Sequence, residues 1–67
     1  MNMKIRMLKD ILVEVEKPRL QEIWDKQLIR WQELTVDKVT VNGTCADILL
    51  DSGDVLIGVP VTSFSTV

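Results

Sequence analysis

The chain has 67 residues, 46% of them apolar, with a formal net charge of −2 from eight Lys and Arg against ten Asp and Glu, one cysteine and no histidine. This size fits one domain, residues 1–67, whose single core rarely supplies more than about 3 to 5 kcal/mol, and one cysteine cannot form an intrachain disulfide. Interspersed charge argues against phosphate-backbone binding, which needs clustered Lys and Arg. No apolar run reaches the 18 residues of a membrane span.

From residue 3 to 16 the odd positions read Met3, Ile5, Met7, Lys9, Ile11, Val13 and Val15, against mostly polar even ones. This period of two predicts an extended strand or hairpin with one buried face. A bend is expected near Lys9 and Asp10, where the apolar row breaks. The opening "MNMKIRMLKD" lacks the apolar run of a signal peptide, so a soluble, cytoplasmic protein is expected, as the free cysteine also suggests.

Residues 18–34 predict an amphipathic helix. Pro18 suits a first helical turn, and Leu20, Ile23, Trp24, Leu28, Trp31 and Leu34 fall on one stripe at helical spacing. Glu22 and Lys26 form a favourable i, i+4 pair. Gln27 lies within the stripe and needs a hydrogen-bond partner if buried, while Ile29 lies on the polar side.

Residues 36–60 return to a period of two and predict a three-stranded meander. A two-residue turn at Asn42-Gly43 sets Val41 opposite Thr44, Val39 opposite Ala46, and Lys38 opposite Asp47 as an ion pair. A second at Ser52-Gly53 sets Leu50 opposite Val55, Ile48 opposite Ile57, and Ala46 opposite Val59. Val39, Val41, Ala46, Ile48, Leu50, Val55, Ile57 and Val59 then share one face. Residues 61–67 follow as a short turn and tail anchored by Phe64.

The expected fold is therefore α+β or mainly β, in the order β-α-β-β-β. It is either a small SH3-like barrel or a three- to five-stranded antiparallel sheet, with one helix inserted after the first strand. "VPVTSF" resembles the proline and 3₁₀ turn before the short last strand of SH3-like barrels.

The segment "LLDSG" at residues 49–53 resembles the motif that carries the catalytic aspartate of retroviral-type aspartic proteases, with seven residues separating Asp51 from a glycine loop here represented by Gly43. That resemblance would make Asp51 catalytic. The pattern departs at Asp54, where the family has a small residue, and fourteen residues after Gly53 are too few for the flap and second loop. Asp51 is accordingly read as a turn residue, and no catalytic residue is assigned.

Asp47, Asp51 and Asp54 are too spread on the expected register to hold a cation, so no metal or cofactor is assigned. Cys45 has no histidine to act as its base and is read as structural. The expected function is a non-enzymatic protein-interaction module, self-associating, of accessory or phage type. Its surface would be formed by Leu12, Trp24, Ile29, Trp31, Leu49 and Leu56, which are surplus to one core or able to anchor an interface. The alternative is a nucleic-acid-binding small barrel using Lys4, Arg6, Lys9, Arg19, Lys26 and Arg30. An aspartic-protease-like fragment is the third reading.

Overall fold

The computed structural model describes residues 3–67. The strands are β1 (Met3–Met7), β2 (Ile11–Lys17), β3 (Glu22–Leu28), β4 (Glu33–Asn42), β5 (Cys45–Leu50), β6 (Val55–Pro60) and β7 (Phe64–Thr66), with a 3₁₀ turn at Val61–Ser63. They form one antiparallel sheet in the order β3-β2-β6-β5-β4-β1-β7, with β3 and β7 as open edges. Its extents are 29, 26 and 23 Å. A flat sheet layer is only about 10 Å thick, so this one curls around its own inner face.

The odd residues of the first segment point inward. Ile5, Met7, Val13 and Val15 are buried and join Leu28, Val36, Ala46, Ile48, Leu50, Leu56 and Val59 in the core. A bend at residues 8–10 separates β1 from β2, which pair with different strands: β1 with β4 and β7, β2 with β3 and β6. Among the described residues Ser63 is the buried polar one, and its hydroxyl donates to the Pro60 carbonyl at 2.6 Å.

The expected helix over 18–34 does not form, which removes the α+β architecture and its β-α-β-β-β order, and one open seven-stranded sheet stands in place of the expected SH3-like barrel or three- to five-stranded sheet. Pro18 instead begins a four-residue hairpin loop, with the Leu20 and Gln21 N–H groups donating to the Lys17 and Pro18 carbonyls at 3.0 and 3.3 Å. Gln21 closes the loop at φ 53°. Proline's fixed φ serves the start of such a loop as well as a helix start. The strand then pairs with β2 from Lys17↔Glu22 to Ile11↔Leu28. A lone helix of this length is marginal without packing, whereas the hairpin gives β2 a local ladder on its second edge. Of the six stripe residues only Leu28 is fully buried, and Leu34 is partly so.

The meander strands pair in a shifted register. Val41 faces Ala46 and Asn42 faces Cys45, so the turn is Gly43-Thr44, with Gly43 at φ 67°. Lys38 lies opposite Leu49, not Asp47, and their expected ion pair is absent. A shift of two positions preserves the faces, so Val39, Ala46, Ile48 and Leu50 still point inward. Val41 shares that side but runs past the core and is exposed.

The β5–β6 connection is a four-residue loop, Asp51-Ser52-Gly53-Asp54. Leu50 N–H donates to the Asp54 carbonyl at 2.8 Å, and Gly53 takes φ 95°. Leu49 pairs with Val55 and Ile48 with Leu56, whereas Ala46 pairs with Val59. The register change is a β-bulge in which Ile57 and Gly58 oppose the single residue Asp47. Gly58 has φ 67°, and its N–H donates to Asp47 Oδ1 at 3.2 Å. The bulge reverses the expected faces near the turn. Leu56 is fully buried, while Val55 and Ile57 lie on the outer face, half-buried.

Candidate interaction surface

Directly paired residues share a face, so the registers define one row across five strands of the outer face: Ile23, Glu16, Val55, Leu49 and Lys38. The adjacent row is Asp25, Glu14 and Ile57. Val55, Leu49 and Ile57 form its half-buried apolar centre, and Ile23 is 62% exposed at the β3 end. Leu12 lies on the same side, two residues along β2 from Glu14, and is 66% exposed. Glu14 and Glu16 on β2 lie between this centre and the β3 residues Ile23 and Asp25, and Lys38 lies at its other end, so the apolar centre has an acidic border on its β2 side.

The six residues expected to form an interaction surface are separated by the fold. Leu49 and Leu12 belong to the outer face, and Leu56 is removed to the core. Trp24 pairs with Val15 on the opposite side of the hairpin and is 52% exposed at the sheet edge. Ile29 and Trp31 occupy the β3–β4 loop, exposed by 57% and 58%. Missed by sequence reasoning were Ile23, placed within the helix, and Val55 and Ile57, placed in the core. Gly58 in an otherwise apolar strand was the available signal of a bulge.

The β3–β4 loop is tightly tied. Trp31 holds φ 73°, a conformation uncommon for a bulky side chain. Its N–H donates to the Met7 carbonyl and Met7 N–H donates to the Gln32 carbonyl, both at 2.8 Å. Arg30 N–H donates to Asp10 Oδ1 at 2.6 Å, and the Arg30 guanidinium lies 4.6 Å from the Trp31 ring centroid, in cation–π range. Gln27 finds its partners at the surface, its Nε2 donating to the Ile11 and Leu28 carbonyls at 3.1 Å each.

At the other end of the hairpin, Lys17 Nζ meets Asp54 Oδ2 at 3.0 Å. This ion pair separates two shallow clefts. One is lined by Pro18, Arg19, Leu20, Ser52 and Gly53, the other by Val15, Trp24, Asp25 and Lys26. Asp51 sits exposed in the neighbouring loop. No group of three or more His, Cys, Asp or Glu placed to hold a metal occurs among the described residues. Cys45 is a half-buried free thiol.

The six basic residues of the nucleic-acid reading are spread over the fold, with only Lys4 and Arg6 sharing a strand. Lys4 and Arg6 are on the outer side of β1, Lys9 is in the bend, Arg30 caps Trp31, Arg19 is in the hairpin loop, and Lys26 is on β3. Arg6 is paired with Glu33 at 2.8 Å. The hydrogen bond from Arg6, then its charge, holds the Glu33 carboxyl below the usual range. A depressed folded-state value stabilises the fold above the unfolded-state value, and this contribution is lost as pH falls through the folded one. Arg6→Gln is expected to return the Glu33 titration, followed by NMR, toward its ordinary range. An unmoved titration would show that the pair does not persist in solution.

No helix among the described residues is long and apolar enough to cross a membrane. Comparison of the chain with family models, curated proteins and solved structures gives no match.

Proposed function

We propose that this chain is a non-enzymatic protein-interaction module, cytoplasmic and self-associating, that binds through the outer face of its sheet. The observation that carries this reading is the half-buried apolar cluster of Leu49 on β5 beside Val55 and Ile57 on β6, bordered on β2 by Glu14 and Glu16, with Ile23 and Asp25 beyond them on β3. An interface centre is typically depleted in charge and rimmed by polar groups. The acidic rim suits a partner surface with apolar side chains flanked by Lys or Arg. The small core favours support from a partner or a second copy, and the lone free thiol supports the cytoplasmic placement.

The test compares wild type with a Leu49→Lys, Ile57→Lys double variant as immobilised baits, after circular dichroism has shown that both are folded. Selective retention of the same proteins by wild type, and their loss from the variant, is expected. Equal retention by the two baits would overturn the assignment of the outer face.

A further inference from the structure

β3 ends the sheet with seven residues in unbroken register with β2, and no strand of the described chain pairs with its other side. Edge strands are ordinarily protected from pairing by shortness, proline, bulges or covering elements. None of these protects β3. Six of its seven residues are exposed, Ile23 and Trp24 among them. Its defence against pairing is therefore its charges, Glu22, Asp25 and Lys26, and their order decides what can pair with it.

Two identical strands that pair antiparallel about a two-fold axis, in one continuous sheet, bring residues of like parity opposite each other. Centring the axis on Asp25 sets that carboxylate against its own copy, and centring it on Lys26 does the same with an ammonium. Like charges directly opposite are destabilising. Centring on Ile23 opposes no like charges but sets Glu22 against Trp24 and pairs no opposite ones, whereas centring on Trp24 sets Glu22 of each copy opposite Lys26 of the other. Trp24 then meets Trp24 on the same side of the sheet.

We infer that two copies of this chain pair edge to edge through β3, antiparallel, with the two-fold axis at Trp24. The inference rests on the interaction-module reading and specifies its self-association. The outer faces of the two copies continue across the seam, where Ile23 of each copy lies opposite Asp25 of the other, so the dimer carries two apolar clusters of Leu49, Val55 and Ile57 separated by acidic side chains of β2 and β3.

Sedimentation equilibrium over a hundredfold range of concentration tests this with full-length chain. Wild type is expected to dimerise. Glu22→Lys alone, or Lys26→Glu alone, places two like-charge pairs at the seam and is expected to weaken the dimer about tenfold or more. The double variant Glu22→Lys, Lys26→Glu restores opposite charges and is expected to recover the wild-type constant to within about threefold. Within one chain these residues are four apart on a strand, roughly 13 Å, so recovery reports contact between copies. All three variants alter exposed side chains, and unchanged circular dichroism shows that they fold. A wild type that stays monomeric, single variants without effect, or a double variant without recovery would overturn the pairing. Selective loss of retained proteins from the Leu49→Lys, Ile57→Lys bait would in that case leave the outer-face reading standing, which separates the two failures.

Discussion

Leu56→Ala is expected to leave most of the chain unfolded at 25 °C, whereas Ile57→Ala remains folded. Leu56 is fully buried against the inner face, and truncating such a leucine costs about 2 to 5 kcal/mol from lost burial and the cavity left behind. A core of this size rarely supplies more than about 3 to 5 kcal/mol in total. Ile57, one residue along, is half-buried on the outer face, and its truncation is expected to cost about 1 kcal/mol. Urea denaturation of the two variants, measured side by side, distinguishes the bulged register from a regular one. A regular ladder through Ser52-Gly53 would put Ile57 inside and Leu56 outside. The reverse order of costs would therefore refute the bulge.

The second large effect belongs to Gly58. A Cβ built there meets no atom within 4 Å, so space is not the constraint. Its φ of 67° is, because an L side chain in this region costs about 1 to 2 kcal/mol. Gly58→Ala is expected to lose that amount, Gly58→Val more because of its β-branch, and Gly58→Asn less because asparagine tolerates the left-handed region. Thermal midpoints should fall in the order Gly, Asn, Ala, Val. Equal midpoints for Asn and Val would mean that the bulge relaxes when substituted.

These two neighbouring positions mark where the sequence is legible and where it is not. Alternation alone identifies the inward row Ile5, Met7, Val13 and Val15, because period two in a half-buried strand follows from backbone geometry. The inward side of Ala46, Ile48 and Leu50 also follows from parity, even though the turn sits one residue later than Asn42-Gly43 suggests. Residues 18–34 could not be read this way. Pro18, the Glu22–Lys26 spacing and the apolar stripe satisfy helical rules, and those local preferences amount to a few tenths of a kcal/mol each. The pairing of this segment with β2 outweighs them. The outer face is illegible for the same reason: helical spacing places Ile23 on a helix, and unbroken alternation places Val55 and Ile57 inward on a strand whose register changes at Gly58. Separated charges such as Lys4, Arg19 and Arg30 could have been judged only with strand positions known.

The place of β1 between β4 and β7 has a consequence for how the chain reaches this fold. Ile5 pairs with both Leu34 and Thr66, so the earliest strand is completed only by contacts spanning nearly the whole chain. Such distant pairings close large loops before they are rewarded, which places folding in the millisecond-to-second regime of non-local β topologies. Hairpins β2–β3 and β4–β5 can assemble from nearby residues, leaving β1 as the late-docking element. During that interval the inward side chains Ile5 and Met7 and the unpaired flank of β4 are open to other molecules, so crowding during synthesis acts on this strand before it acts on the finished protein.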